Sequence, residues 1–130
     1  MKYTKELCPI IRKDRLNSTT FSFTIASETV VKSVKPGQFA NILVQGKTLR
    51  RPISVCGFSR EEGTIRFVFE VRGEGTAIMA QMEEGQTMDI LAPLGNGFDI
   101  DPSEKAVFVG GGIGVPPLLG ASAPDRKRVV

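Results

Sequence analysis

"IRFVFEVRGEGTAIM" (residues 65–79) is the stretch from which the fold is read. Its first half alternates. Ile65, Phe67, Phe69 and Val71 fall on one face, with Arg66, Glu70 and Arg72 on the other, the period of a strand with one side in a core. Its second half breaks that rhythm. Gly73 and Gly75 lead into Ala77, Ile78 and, further on, Met82, spaced for one short helix over residues 75–85 with Gly85 placed to stop it. A strand that runs through glycines straight into a helix start is a local plan for bringing backbone close to a ligand.

Reading outward, the rest of the first hundred residues is short strands separated by turns. "TTFSFTIAS" (19–27) sets Phe21, Phe23 and Ile25 against polar neighbours. "KPGQ" (35–38) has Pro second and Gly third, as a type II turn prefers. "FANILV" follows, then "GKT" turns the chain into "LRRPISVCGF" (49–58), and "SREEGT" connects to the opening strand. "TMDILAPLGNGF" (87–98) reads as a last strand entering a Gly-Asn-Gly turn. Strands at this spacing with one short helix predict a mainly β domain, a small antiparallel barrel or sandwich. The texture changes after a boundary near Asp99 to Lys105. "DPSEKAVFVGGGIGVPPLL" has the strand, glycine cluster and apolar helix start of the first β-α step of an α/β domain.

Bulk properties exclude several function classes. The 130 residues are 41% hydrophobic and 24% charged, as in a globular domain, and the net charge of +3 is spread along the chain. Only "DRKRVV" at the end is locally basic, and it reads as a solvated tail, so no nucleic-acid partner is expected. With no histidine and two cysteines, Cys8 and Cys56, the chain holds no His-based triad and no zinc site of the usual spacing. Two distant thiols fit a reducing cytoplasm, with a single disulfide as the alternative. No leader and no apolar run of about 18 residues is present, so no membrane association is expected.

Three stretches could carry chemistry, and each also has a plain reading. In "RRPIS" (50–54), Pro52 removes a ladder donor, so the strand should be an edge or should leave backbone groups free. Arg51 offers a guanidinium fork for phosphate, and Ser54 a hydroxyl on Pro52's side of the strand. The alternative is an ordinary edge strand with a surface arginine. In "RGEGTAIM" (72–79), Gly75 and Thr76 at a helix start could seat an anion, or could be a glycine turn with a threonine cap. "GGGIG" (110–114) after "AVFV" could cradle a pyrophosphate, or be an interdomain loop; its spacing is not the usual one.

Taken together, in this order and spacing, the three resemble the ferredoxin-reductase-like flavoproteins. "LRRPISV", "GEGTAIM", "LAPLGNGFDI" and "VGGGIGVPPLL" are similar, more narrowly, to electron-transfer subunits of the bacterial NAD-dependent dihydroorotate dehydrogenases. The resemblance implies a six-stranded antiparallel Greek-key barrel over residues 1–100 that binds FAD, followed over residues 101–130 by the start of an incomplete α/β nicotinamide domain and a tail. It implies that Arg51, Pro52, Ile53 and Ser54 line the flavin and its phosphates, with Arg51 neutralising pyrophosphate charge and Ser54 near the reactive edge of the ring. Val68, Phe69 and Glu70 would contact the flavin side, and Gly75 and Thr76 the pyrophosphate. Gly110, Gly111, Gly112 and Gly114 would be a vestigial NAD site.

By the same resemblance the barrel does no acid–base chemistry. Its electrons arrive from dihydroorotate through an FMN-containing catalytic subunit and a [2Fe–2S] centre, and leave from FAD to NAD in pyrimidine biosynthesis. The chain departs from that pattern: a cluster needs about four thiolates, and this chain has two cysteines. After Leu119, "GASAPDRKRVV" does not continue the expected amphipathic helix, and the end reads as a truncation, with a barrel that should not reduce NAD alone. An uncovered Val107–Leu119 predicts self-association. Two other readings stand beside this one: a small flavin subunit of a ferredoxin:NADP or sulfide-type reductase, and a cofactor-free interaction module.

Overall fold

A computed structural model describes residues 3–97. Six strands, β1 (Thr4–Arg15), β2 (Thr20–Ala26), β3 (Phe39–Ile42), β4 (Arg51–Ser59), β5 (Thr64–Glu70) and β6 (Thr87–Leu94), close into an antiparallel barrel in the order β1-β2-β5-β4-β3-β6. One seven-residue helix, α1 (Glu74–Ala80), links β5 to β6, and a 3-10 turn at Val30–Lys32 links β2 to β3. The mainly β barrel with one short helix agrees with the sequence reading. The predicted strand at 106–109, the glycines Gly110 to Gly114, the boundary near Asp99 to Lys105, the basic tail and the Val107–Leu119 segment lie outside the described residues. Among the described residues, no helix is long and apolar enough to cross a membrane.

The core follows from strand alternation. Phe23, Ile25, Ile65, Phe67, Ile42 and Ile90 point inward and are fully buried. Burying each such side chain stabilises the fold by about 1.5–3 kcal/mol. Met79 of α1 is equally buried, with Ile78 and Met82 packed beside it. Phe69, opposite Phe21 on β2, stacks against Phe21 (centroids 6.1 Å apart) and meets Phe23 edge-on at 5.3 Å.

Three local details differ from, or go beyond, what the sequence pattern predicts. β1, the longest strand, carries no clear alternation and is absent from the sequence reading. Its inward positions are Cys8 and Ile10, while Leu7 and Ile11 face outward, and its register slips between Ile10 and Arg12. The helix ends at Ala80 rather than running to Gly85. Gly85 N–H donates to Ile10 O (2.8 Å) and Ile10 N–H to Gln86 O (2.8 Å), so the chain must leave the helix early to join β1. Gly85 keeps a positive φ of 90° at that exit. The expected turn at 35–38 forms, with Gly37 at φ 92°. The side chain of Gln38 accepts from Lys35 N–H (2.8 Å) and donates to Gly95 O (3.0 Å), tying that turn to the end of β6.

The turn after β2 is held by a carboxylate from another strand. Glu6 of β1 accepts from the Ser27 hydroxyl (2.7 Å) and from the N–H groups of Glu28 (2.7 Å), Val30 (3.0 Å) and Thr29 (3.1 Å). Burial pushes the Glu6 carboxyl up. The Val30 N–H, the Ser27 hydroxyl and the Glu28 and Thr29 N–H groups outweigh it and hold the carboxyl below 4.5. Cys8 and Cys56 are buried free thiols. Burial, then the neighbouring Glu6 and Asp89 carboxylates, push the Cys8 thiol up to about 12.

Candidate functional site: a cleft where β4 leaves β5

The barrel is not uniformly laddered between β4 and β5. β4 pairs with β5 only from Val55 onward, opposite Phe67, and its register slips between Val55 and Gly57. Residues Arg51 to Ser54 pair with β3 alone, on the other side. Pro52 stands in that stretch, opposite Asn41, as a residue without an N–H should. The expectation that this segment leaves backbone free is met by a split between two neighbouring strands.

A cavity of about 270 Å³ fills the split. Pro52, Ile53 and Ser54 line it from β4, Val68, Phe69 and Glu70 from β5, and Arg72 and Thr76 from the turn and helix beyond. Pro52 and Ser54 are exposed and Ile53 is half-buried, so the β4 wall offers two apolar side chains and one hydroxyl. Phe69 is locked by Phe21 and Phe23, giving the opposite wall a rigid aromatic base. Ligand pockets for drug-sized molecules run to about 300–1,000 Å³, so this cleft suits one end of a larger molecule.

The paired arginines of "RRP" do different jobs. Arg50 is a staple: its guanidinium donates to Asn41 O (3.2 Å), Asp89 O (3.3 Å) and Asp89 Oδ1 (3.0 Å), joining β3 to β6. Arg51 reaches toward the helix start. Its Nη1 donates to Leu49 O at 2.8 Å, and its side chain lies over Gly75, where an added Cβ would stand 2.5 Å from Nε. Gly75 is buried beneath it. The glycine is therefore required by a close approach, not by its dihedrals.

Thr76 is the third residue of α1 rather than its opening one. Gly73 is the N-cap, and the Thr76 hydroxyl accepts from the N–H groups of Arg72 (2.8 Å) and Gly73 (3.1 Å) while donating to Gly73 O (3.1 Å). The helix is short, and Glu74 in its first turn pairs with Lys47 at 2.9 Å. The Lys47 hydrogen bond and charge, with a smaller effect of Arg51, hold the Glu74 carboxyl below its ordinary value. Positive character here comes from guanidinium groups more than from the helix end.

The structure thus brings Pro52, Ile53, Ser54, Val68, Phe69, Glu70 and Thr76 around one cleft, with Arg51 and Gly75 stacked together on their own. Arg72 is a lining residue that strand alternation alone places on the polar face. Its signal is position, one residue before the first motif glycine. A larger hollow of about 760 Å³ lies along the C-terminal half of α1, between Leu43–Lys47 and Gly85–Asp89. Its charged side chains are already paired, Lys47 with Glu74 and Asp89 with Arg50 and Lys5, whereas Arg51, beside the β4–β5 cleft, has no carboxylate at ion-pair distance among the described residues. Among the described residues, no group of His, Cys, Asp and Glu is placed to hold a metal ion.

Comparison with known proteins agrees with this geometry. No protein-family model matches the chain. The chain is 38% identical over 117 residues to the electron transfer subunit of dihydroorotate dehydrogenase B (NAD(+)) of Bacillus caldolyticus, covering 85% of this chain and 46% of that protein. The corresponding subunit of Enterococcus faecalis is 39% identical over 135 aligned positions, covering 100% of this chain and 51% of its own. The chain thus spans about half the length of the curated relatives it matches. Among solved structures, an NADH-dependent reduced ferredoxin-NADP oxidoreductase superposes with a TM-score of 0.85 at 33% identity, over 95% of this chain and 45% of that one. Phthalate dioxygenase reductase shares the fold, with a TM-score of 0.77 at 21% identity over 98% of this chain and 41% of that one.

Proposed function

We propose that this chain, a homologue over its own length of the electron-transfer subunits of dihydroorotate dehydrogenase B, is an electron-transfer barrel that holds FAD in the β4–β5 cleft. The observation that carries the reading is the split itself: β4 abandons β5 over the one stretch, Arg51 to Ser54, where a proline, a hydroxyl and an arginine stand together. The flavin ring would lie between Pro52, Ile53 and Ser54 on one wall and Val68, Phe69 and Glu70 on the other. The diphosphate would meet Arg51, Gly75 and Thr76.

The residues present fit such a group. Gly75 is bare because Arg51 occupies its Cβ space, which presents a guanidinium beside the cleft. FAD, when bound, supplies the redox chemistry, accepting and releasing electrons singly or in pairs. The protein's share is to orient the ring, to keep water from its buried face with Ile53, Val68 and Phe69, and to set its potential through Ser54 and the rim charges. No proton relay is asked of the chain, consistent with its lack of histidine.

In this reading the partner is a dihydroorotate-oxidising catalytic subunit carrying FMN, and NAD is the far acceptor, with the work done in the cytoplasm. The segment beyond residue 100 would begin the nicotinamide domain, with Gly110, Gly111, Gly112 and Gly114 in its glycine-rich turn. Likeness to the NADH-dependent ferredoxin-NADP oxidoreductase favours a second reading, a flavin subunit of a related reductase; capture of the partner that oxidises dihydroorotate, or of one that reduces ferredoxin, separates the two. Titration of the purified protein with FAD, followed by flavin fluorescence and the visible spectrum, tests the shared core. Tight uptake by the wild type, and affinity about tenfold or more weaker in Arg51→Ala, is expected. A protein that takes up no flavin, or an Arg51→Ala variant that binds it as well as the wild type, refutes the reading.

A further inference from the structure

We infer that Arg72 is a further diphosphate-binding residue, and that Glu70 restrains it until a ligand arrives, an inference that rests on the FAD reading of the cleft. Both side chains line the cavity, together with Thr76. Arg72 Nη2 lies 3.4 Å from Glu70 Oε1, and the Arg72 side chain is 69% exposed while that of Glu70 is 33% exposed. Among the described residues, Arg72 has no other ion-pair partner.

A count of charge around the cleft leads to the same residue. Glu74 is neutralised by Lys47 at 2.9 Å and Glu70 by Arg72, leaving Arg51 as the cation whose charge no carboxylate at ion-pair distance cancels among the described residues. A diphosphate is a dianion, so Arg51 alone leaves it one positive charge short. Arg72 is the next guanidinium at the rim, on a long exposed side chain free to turn. A planar fork of donors can hold a phosphate oxygen and keep one contact to Glu70. Without Arg72, Glu70 would instead face the diphosphate as a bare like charge. Arg72 therefore both adds a cation and masks an anion, and Glu70 sets how readily it moves. The pair would make the site discriminate by phosphate content, favouring FAD over riboflavin.

The test uses the full chain, with FAD and riboflavin titrated separately by fluorescence into the wild type, Arg72→Gln and Glu70→Gln. Ligand-free melting temperatures should match the wild type, because both residues are at the rim. Arg72→Gln is expected to bind FAD about tenfold more weakly, with riboflavin within twofold of the wild type and a flatter dependence on ionic strength. Glu70→Gln should bind FAD a few-fold more tightly. An Arg72→Gln variant that keeps wild-type affinity for FAD overturns the inference and leaves the FAD reading standing, as does an equal loss for riboflavin. Wild-type protein that binds neither FAD nor riboflavin overturns both.

Discussion

Replacing Gly75 by alanine should raise stability and lower ligand affinity together. Gly75 is the second residue of α1 and does not have a positive φ, so a methyl group there strains no backbone. Alanine in place of glycine within a helix is worth up to about 0.5–1 kcal/mol of stability. The added Cβ, however, would stand 2.5 Å from Arg51 Nε, 3.2 Å from Cζ and 3.3 Å from Cδ. Something must shift, and the far end of a flexible arginine shifts most readily. The fold loses little, since the displaced guanidinium keeps only the Leu49 carbonyl as an intramolecular partner. The proposed site loses its principal cation. A hydrogen bond to a charged group is worth about 1.5–3 kcal/mol, which corresponds to roughly 10- to 150-fold in dissociation constant. Thermal melting without ligand and isothermal titration with FAD and riboflavin measure the two effects separately. The reasoning is refuted if Gly75→Ala binds FAD like the wild type, or if riboflavin binding suffers as much as FAD binding.

Other expectations concern the frame. Glu6→Gln should cost about 1–3 kcal/mol at neutral pH, because an amide cannot accept all four donors. Since the folded carboxyl titrates below 4.5, the stability that Glu6 supplies is present above that pH and is lost as pH falls through its folded value. The variant's denaturation midpoints should therefore change less than the wild type's on acidification. Cys8 and Cys56 should resist a thiol reagent at pH 8 and both react after unfolding in urea; rapid labelling of the native protein would contradict their burial. Because the Cys8 thiol is raised from 9.0 to about 12, stability that depends on its protonated form is full below pH 9.0 and declines between the two values. Phe67→Ala, removing a ring 1% exposed at the centre of β5, should cost about 3–5 kcal/mol in urea unfolding.

The parts of the chain legible from sequence are those where one rule acts alone. β2 and β5 alternate cleanly, and Gly37 follows a proline where a type II turn requires it. β1 was not legible because two demands overlap on it. It contributes Cys8 and Ile10 to the core, yet carries Leu7, Pro9 and Ile11 outward, and a register slip breaks the period. The helix ends short of its local pattern because Gly85 serves a strand contact with Ile10, which no local pattern encodes. At the cleft, Arg51 and Ser54 were legible because a proline inside an apolar strand is unusual. Arg72 was not, since an arginine after a strand looks like any solvated charge until Glu70 and Thr76 are seen beside it.

The pairing of β1 with β6 also fixes when the barrel can exist. Thr4 sits opposite Ala92 and Pro9 opposite Thr87, so the barrel's first strand in chain order pairs with its sixth and has to wait for it during synthesis. Throughout synthesis of the intervening residues, the edge of β1 from Thr4 to Pro9 has unsatisfied N–H and C=O groups, with Leu7 exposed alongside. A newly made chain is thus most exposed to pairing with its neighbours just before residues 87–94 emerge, and emergence of that strand ends the exposure by closing the ring.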